Sequence, residues 1–254
     1  MMIDTHCHID NPAFDHDRQA VIQRAKEAGV NRLVVPGVSL DNFTSLPCEK
    51  DIKIHQALGL HPMFLDKHPQ DAIEQLVKWI DRIKPIAIGE IGLDFREPHH
   101  NHNKQQELFS AQLQLAKLYQ LPVLIHAVKA HDQIITTLKK ADLPCGGIIH
   151  SFNGSLQQGQ QYITMGFCLG FGGVVTHDRA KKIRTVAAKL PDSSLVLESD
   201  APDLPPAGFA GKRNEPGYLT IVANTLASLR GVSTQHIIDA TSMNAVNLLG
   251  IAND

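Results

Sequence analysis

Ile3-Asp4-Thr5-His6-Cys7-His8 reads as a short buried strand carrying two histidines at its far end. Residues i and i+2 of a strand share a face, roughly 7 Å apart along the backbone, so both rings can turn toward one ion. Cys7, between them, points the other way. Imidazole is a borderline donor that suits divalent transition metals, which makes the pair half of a metal site if partners exist elsewhere. Candidates close four other apolar runs. Glu90 ends Ile86-Ala87-Ile88-Gly89, His126 ends Val123-Leu124-Ile125, His150 ends Gly146-Gly147-Ile148-Ile149, and Asp200 ends Ser194-Leu195-Val196-Leu197-Glu198-Ser199. Four histidines and two carboxylates are nitrogen and oxygen ligands for one or two divalent ions: zinc, magnesium or manganese. The expected arrangement puts one ion on His6, His8 and Asp200 and a second on His126 and His150, with Glu90 bridging through its two oxygens. Two such ions, about 4 Å apart, generate hydroxide near neutral pH and stabilise the attacking and leaving oxygens of an in-line displacement. Glu90 and Asp200 are the expected catalytic carboxylates, and Asp200 can also orient or deprotonate the attacking water. Two dications less two carboxylates leave positive charge in excess even after a bound hydroxide is counted. That favours an anionic substrate such as a phosphate ester.

These residues meet only if the chain brings its strand ends together. Helix formers from Arg18 to Ala28 stop at Gly29, the usual residue just past a helix. Further strands are expected over 31–36, 54–59, 86–90, 123–126, 146–150, 166–173 and 194–200. They alternate with helices near Ser39, over 70–83, 104–119, 131–140 and 179–190, then 218–229 and from Ser233 on. Leu108, Ala111, Leu115 and Leu118 mark the expected apolar face of the helix over 104–119. Ser155-Leu156-Gln157-Gln158 has the form of a capping box. Eight strands alternating with helices in 254 residues argue for parallel β/α units closed into one TIM barrel domain, an architecture of about 250 residues, rather than an open sheet. In such a barrel the side chains of all eight units meet at the C-terminal ends of the strands. The proline-rich loop over 200–216 reads as a cover for that mouth.

Composition excludes several classes. A formal net charge of −2 lacks the basic footprint of a protein that coats duplex nucleic acid. No segment approaches the roughly 18 consecutive apolar residues of a membrane span. The first strand starts at Met2 or Ile3, which leaves no room for a secretory signal, so the cytoplasm is the expected location. Cys7, Cys48, Cys145 and Cys168 are scattered without a Cys-x-x-Cys pair, against a disulfide framework or a cysteine-ligated zinc. Oligomeric state is not legible.

Ile3 to His8, Gly59-Leu60-His61-Pro62, Ile88-Gly89-Glu90-Ile91-Gly92-Leu93-Asp94, Ile125-His126, His150-Ser151-Phe152 and Glu198-Ser199-Asp200-Ala201-Pro202 together resemble the TatD family of metal-dependent hydrolases, in particular its YjjV-like bacterial members. The likeness runs to Asn214-Glu215-Pro216 and on to Thr241-Ser242-Met243-Asn244, nearly the whole chain. It implies a TIM barrel, a divalent-metal site at the six residues above, and hydrolase activity that in some members is a deoxyribonuclease acting from DNA ends. Two loops depart from the family. Ala127-Val128-Lys129-Ala130 stands where a Ser-Arg-Asp/Glu-Ala type of run is common, and Arg96 follows Phe95 where an aromatic pair is common. Both changes leave the metal ligands intact and bear on the substrate.

The expected function is a phosphodiesterase or deoxyribonuclease. The same centre could also hydrolyse an amide, ester or lactone, since a polarised carbonyl uses the same hydroxide. His61 and Arg213 are the expected substrate contacts, His61 also serving as a support for a ligand. Glu198, on the strand face of Asp200, needs a partner, and orienting a histidine would supply one. His99, His100 and His102 read as a solvated loop, and Lys181, Lys182 and Arg184 as an exposed helical face.

Overall fold

The computed structural model describes residues 1–43, 46, 52–96 and 101–251. Eight parallel strands run in chain order, β1 Met2–Asp4, β2 Val30–Pro36, β3 Lys53–Leu58, β4 Ala87–Asp94, β5 Val123–Val128, β6 Gly147–Ile149, β7 Phe167–Phe171 and β8 Leu195–Leu197, each paired with the next. The ring closes where β8 meets β1: Thr5 N–H donates to the Leu197 carbonyl (3.0 Å) and Asp200 N–H to the His6 carbonyl (2.9 Å). Asp4, fully buried, adds a side-chain clasp by accepting the Ser199 N–H at 2.8 Å. One small or branched residue from each strand fills the interior: Ile3, Val34, Ala57, Ala87, Leu124, Ile148, Cys168 and Val196. This layering makes the barrel a packed core rather than a pore. Helices α1 Arg18–Glu27, α2 Ala72–Ile83, α3 His102–Tyr119, α4 His131–Ala141, α5 Leu156–Thr164, α6 Lys181–Lys189, α7 Leu219–Arg230 and α8 Thr234–Leu249 surround it. Ala245, Val246 and Leu249 of α8 pack against that interior layer.

The fold is the TIM barrel that the β/α alternation implies, with local differences. Near Ser39 there is a single 3-10 turn, Leu40–Asn42, capped reciprocally by Ser39 and Asn42. The Ser155–Gln158 capping box is present. Strands β6 and β8 are three residues each, so His150 and Asp200 sit in the loops just beyond them. Glu90 lies inside β4, which continues to Asp94. His99 and His100 fall outside the described residues, while His102 opens α3 and stacks on Phe95. Among the described residues, no helix is long and apolar enough to cross a membrane.

The buried face of α3 differs from the one its leucines suggest. Leu115 is buried as expected, but Leu118 is 73% exposed, and the inward stripe also runs through Gln105, Phe109, Gln112, Leu113 and Ala116. Both glutamines are buried because their amides act as surrogate strand partners. Gln112 accepts from Leu60 N–H (2.7 Å) and donates to its carbonyl (3.0 Å), and Gln105 does the same at Asp94 (2.8 and 2.9 Å). Two strand ends at the mouth are thereby satisfied and fixed. Replacing Gln112 with Leu strands a buried donor and acceptor, each costing about 1–3 kcal/mol. The variant should therefore unfold at clearly lower urea, with an unchanged m-value.

Candidate metal centre

Glu90 is brought to the floor of a cleft of about 700 Å³ by a close approach of β3 to β4. A Cβ on Gly59 would meet Gly89 and Glu90 backbone atoms at 2.6–2.8 Å, so the strand end can reach that position only with glycine there. The buried Glu90 carboxylate then stands between two histidine pairs. One oxygen is 3.2 Å from His6 Nε2 and 3.7 Å from His8 Nε2, and the other is 3.0 Å from His126 Nδ1 and 3.3 Å from His61 Nε2. Asp200 closes the first side, with Oδ1 at 3.9 Å from both His6 and His8 Nε2. His150 stacks on His6 at 3.5 Å between ring centres and turns Nε2 to Asp200 at 3.4 Å.

Two imidazole nitrogens, His6 Nε2 and His8 Nε2, face each other at 3.3 Å with a carboxylate oxygen beside them. Lone pairs so placed repel unless a proton or a cation sits among them. Among the described residues, three overlapping groups have donor atoms within 4.8 Å of one another: His6-His8-Asp200, His6-Glu90-His150 and His61-Glu90-His126. This donor set of imidazoles and carboxylates fits one or two divalent transition ions.

Compared with the sequence expectation, the six residues converge and Glu90 turns one oxygen to each side, but the neighbours differ. His150 lies with His6 and Asp200 rather than with His126, and His61 takes the place beside His126 and Glu90. Arg213 is not a lining residue of the cleft. Its guanidinium is engaged by Asp17 (2.7 Å) and Glu215 (3.0 Å) and stacks over Phe14, so it ties the last loop to the first instead of offering itself to a phosphate. Arg96 lines the cleft in its stead, with its guanidinium on Asp94.

Two further carboxylates stand behind the histidines. Asp94 Oδ2 lies 2.8 Å from His126 Nε2, and Glu198 Oε1 lies 3.0 Å from His150 Nδ1 by an oblique approach while accepting the Ser151 N–H at 2.6 Å. Such partners fix ring orientation and raise donor strength. Glu198 stands beside His150, where its strand position suggested a histidine partner. The Asp94 role was hidden because Gly92-Leu93-Asp94 reads as the start of a loop. A Cβ on Gly170 would lie 2.1 Å from Glu198 Oε2, so β7 needs glycine opposite that buried acid.

The charges balance locally. Burial opposes ionisation of Glu90, but His61, His6 and His126 outweigh it and hold the carboxyl well below its usual range. Burial likewise opposes charge on Asp200, and His150, His6 and His8 outweigh it. Burial would discharge His150, yet Glu198 and Asp200 raise it well above the ordinary histidine value. His6 and His61 are lowered, mainly by burial. Asp4, in its clasp, is pushed up to about 7 by burial.

A family model for the TatD related DNases matches residues 3–250. The chain belongs to the TatD family. This TatD-family chain is 42% identical over 253 residues to the uncharacterized metal-dependent hydrolase YjjV of Escherichia coli K12, covering 98% of each. The crystal structure of that TatD homologue matches with a TM-score of 0.94 at 41% identity, over 99% of this chain and 98% of the other. The 3'-5' ssDNA/RNA exonuclease TatD of Rahnella sp. Y9602 is 32% identical over 264 residues, with 99% of each chain covered. As a member, the chain is a metal-dependent hydrolase.

Proposed function

We propose that this TatD-family hydrolase is a phosphodiesterase that removes nucleotides from the ends of single-stranded DNA, with two divalent ions, zinc or manganese before magnesium given so many imidazoles. The observation that carries the reading is Glu90, one carboxylate with an oxygen facing each of two donor groups. His6, His8, His150 and Asp200 would hold one ion and His61 and His126 the other. Ions held there supply an acidified water and neutralise charge on the attacking and leaving oxygens of a phosphoryl transfer. Asp200, ionised and only 15% exposed at the cleft floor, accepts the proton of the attacking water. Arg96, on the cleft wall, contacts the phosphate. The relative named 3'-5' ssDNA/RNA exonuclease supports nucleic acid as the substrate class.

An amide, ester or lactone hydrolase is the second reading. It is favoured by the extra buried carboxylates Asp94 and Glu198, which cancel much of the positive charge two ions would bring. Inorganic phosphate should compete strongly under the first reading and weakly under the second. The direct test is digestion of an end-labelled single-stranded oligonucleotide by metal-loaded wild type and Asp200→Asn. Stepwise shortening by the wild type, slowed about 10²–10⁴-fold in the variant, is the expected result. Absence of wild-type cleavage in magnesium, manganese and zinc refutes the nuclease reading.

A further inference from the structure

Resting on the phosphodiesterase reading above, we propose that the cleft accepts one nucleotide unit, its base against an apolar wall, and that the enzyme does not grip the strand behind it. The substrates it suits are then very short single-stranded ends and dinucleotides, cleaved as well as long strands.

Two observations carry this. The first is the wall. That side of the cleft is lined by Val174, Ile183 and Leu204, the more exposed of its apolar residues, backed by the buried Phe152, Phe171 and Val175. Phe152 meets Tyr162 and Phe171 edge-on at 6.1 and 6.3 Å, and Arg184 donates to the Val175 carbonyl at 3.0 Å, so the surface is preformed. The cavity, about 700 Å³, is the size of a pocket for one small ligand. It is continuous with the donor cluster, which places a flat apolar group beside the bond to be cut.

The second observation is charge. Proteins that track a single strand line a groove with cations, and each phosphate they neutralise steepens the salt dependence. Among the described residues, Arg96 is the one lysine or arginine lining this cleft, and it already serves Asp94. Lys182 stands at the rim on the Asn153 carbonyl, and Asp203 on the lip is acidic. Two divalent ions and a bound hydroxide would meet Glu90, Asp94, Glu198, Asp200 and Arg96, leaving no net charge. The ions themselves can take one phosphodiester there, while the described residues line the cleft with no further cation for a run of them.

The test compares kcat/KM for the dinucleotide TpT, the same dinucleotide lacking both bases, and a 20-residue oligothymidylate, at 50 and 200 mM salt. The expected result is TpT within about threefold of the long strand per end, little change with salt, and a loss of about tenfold or more on removing the bases. Ile183→Asp, at a half-buried wall position, should erase the base preference while calorimetric metal affinity stays at the wild-type value. A long strand favoured about 30-fold or more with a steep salt slope, or a base-free dinucleotide cleaved as well as TpT, overturns the inference and leaves the phosphodiesterase reading standing. No cleavage of TpT or the 20-mer overturns both.

Discussion

Glu90→Gln is expected to abolish two-ion loading and reduce hydrolysis of any ester by on the order of 10³-fold or more. The substitution keeps size and shape but removes the negative charge between four imidazoles, and one of the two facing atoms becomes an NH₂ that cannot ligate. His6 and His8 lose their oxygen on one side or His61 and His126 lose theirs on the other, whichever way the amide turns. Activity alone would not separate lost chemistry from lost folding, so thermal unfolding with and without metal is the deciding readout. Ligand at 100 times its dissociation constant stabilises by about 2.7 kcal/mol, so zinc should raise the wild-type Tm by several degrees and leave the variant almost unmoved. A variant that still binds two ions and gains the same stability removes Glu90 from the bridge.

Glu198→Gln should weaken metal binding about 10–100-fold through its contact with His150, without replacing any proposed ligand. The fully buried Glu198 stands behind His150, and with Asp200 it keeps that imidazole protonated to pH values well above its ordinary 6.5, although burial opposes the charge. A metal can take His150 only by displacing that proton. Apparent affinity should therefore rise as pH climbs above 6.5 in the wild type. The metal-free protein carries the opposite sign. A histidine raised on folding contributes stability that is fully present below 6.5 and is lost as pH rises through its folded value, so the apoprotein should weaken there while the loaded form does not. Without the Glu198 charge His150 deprotonates earlier and both slopes flatten. Calorimetric titration of zinc at several pH values, beside urea unfolding of the apoprotein, reads both. A slope equal in wild type and variant would exclude coupling between Glu198 and His150.

Much of this molecule is legible in the residues. The alternation of short apolar runs with helix formers dictates β/α units, because a strand covered on both faces must be apolar throughout. The polar residue closing each run stands out against that background, which is how His6, His8, Glu90, His126, His150 and Asp200 were recognisable before any fold was known. A parallel barrel sends all strand ends to one face, so convergence followed from topology.

Distances around the ring did not follow. Whether His150 or His61 joins His126 depends on loop geometry after three-residue strands and on the stacking of His150 against His6, and a spacing in sequence carries no angle around a barrel. Arg213 shows the same limit, since a loop arginine reads as a phosphate ligand until the fold sets Asp17 and Glu215 against it. Gln105 and Gln112 were invisible because an apolar-face rule discards polar residues, yet both are buried where a strand end needs a hydrogen-bonding partner. The donor types and their convergence were thus determined by the sequence itself. Tertiary packing decided which donors stand together, which carboxylates stand behind them and where the apolar wall lies, because each of these is a contact between segments far apart in the chain.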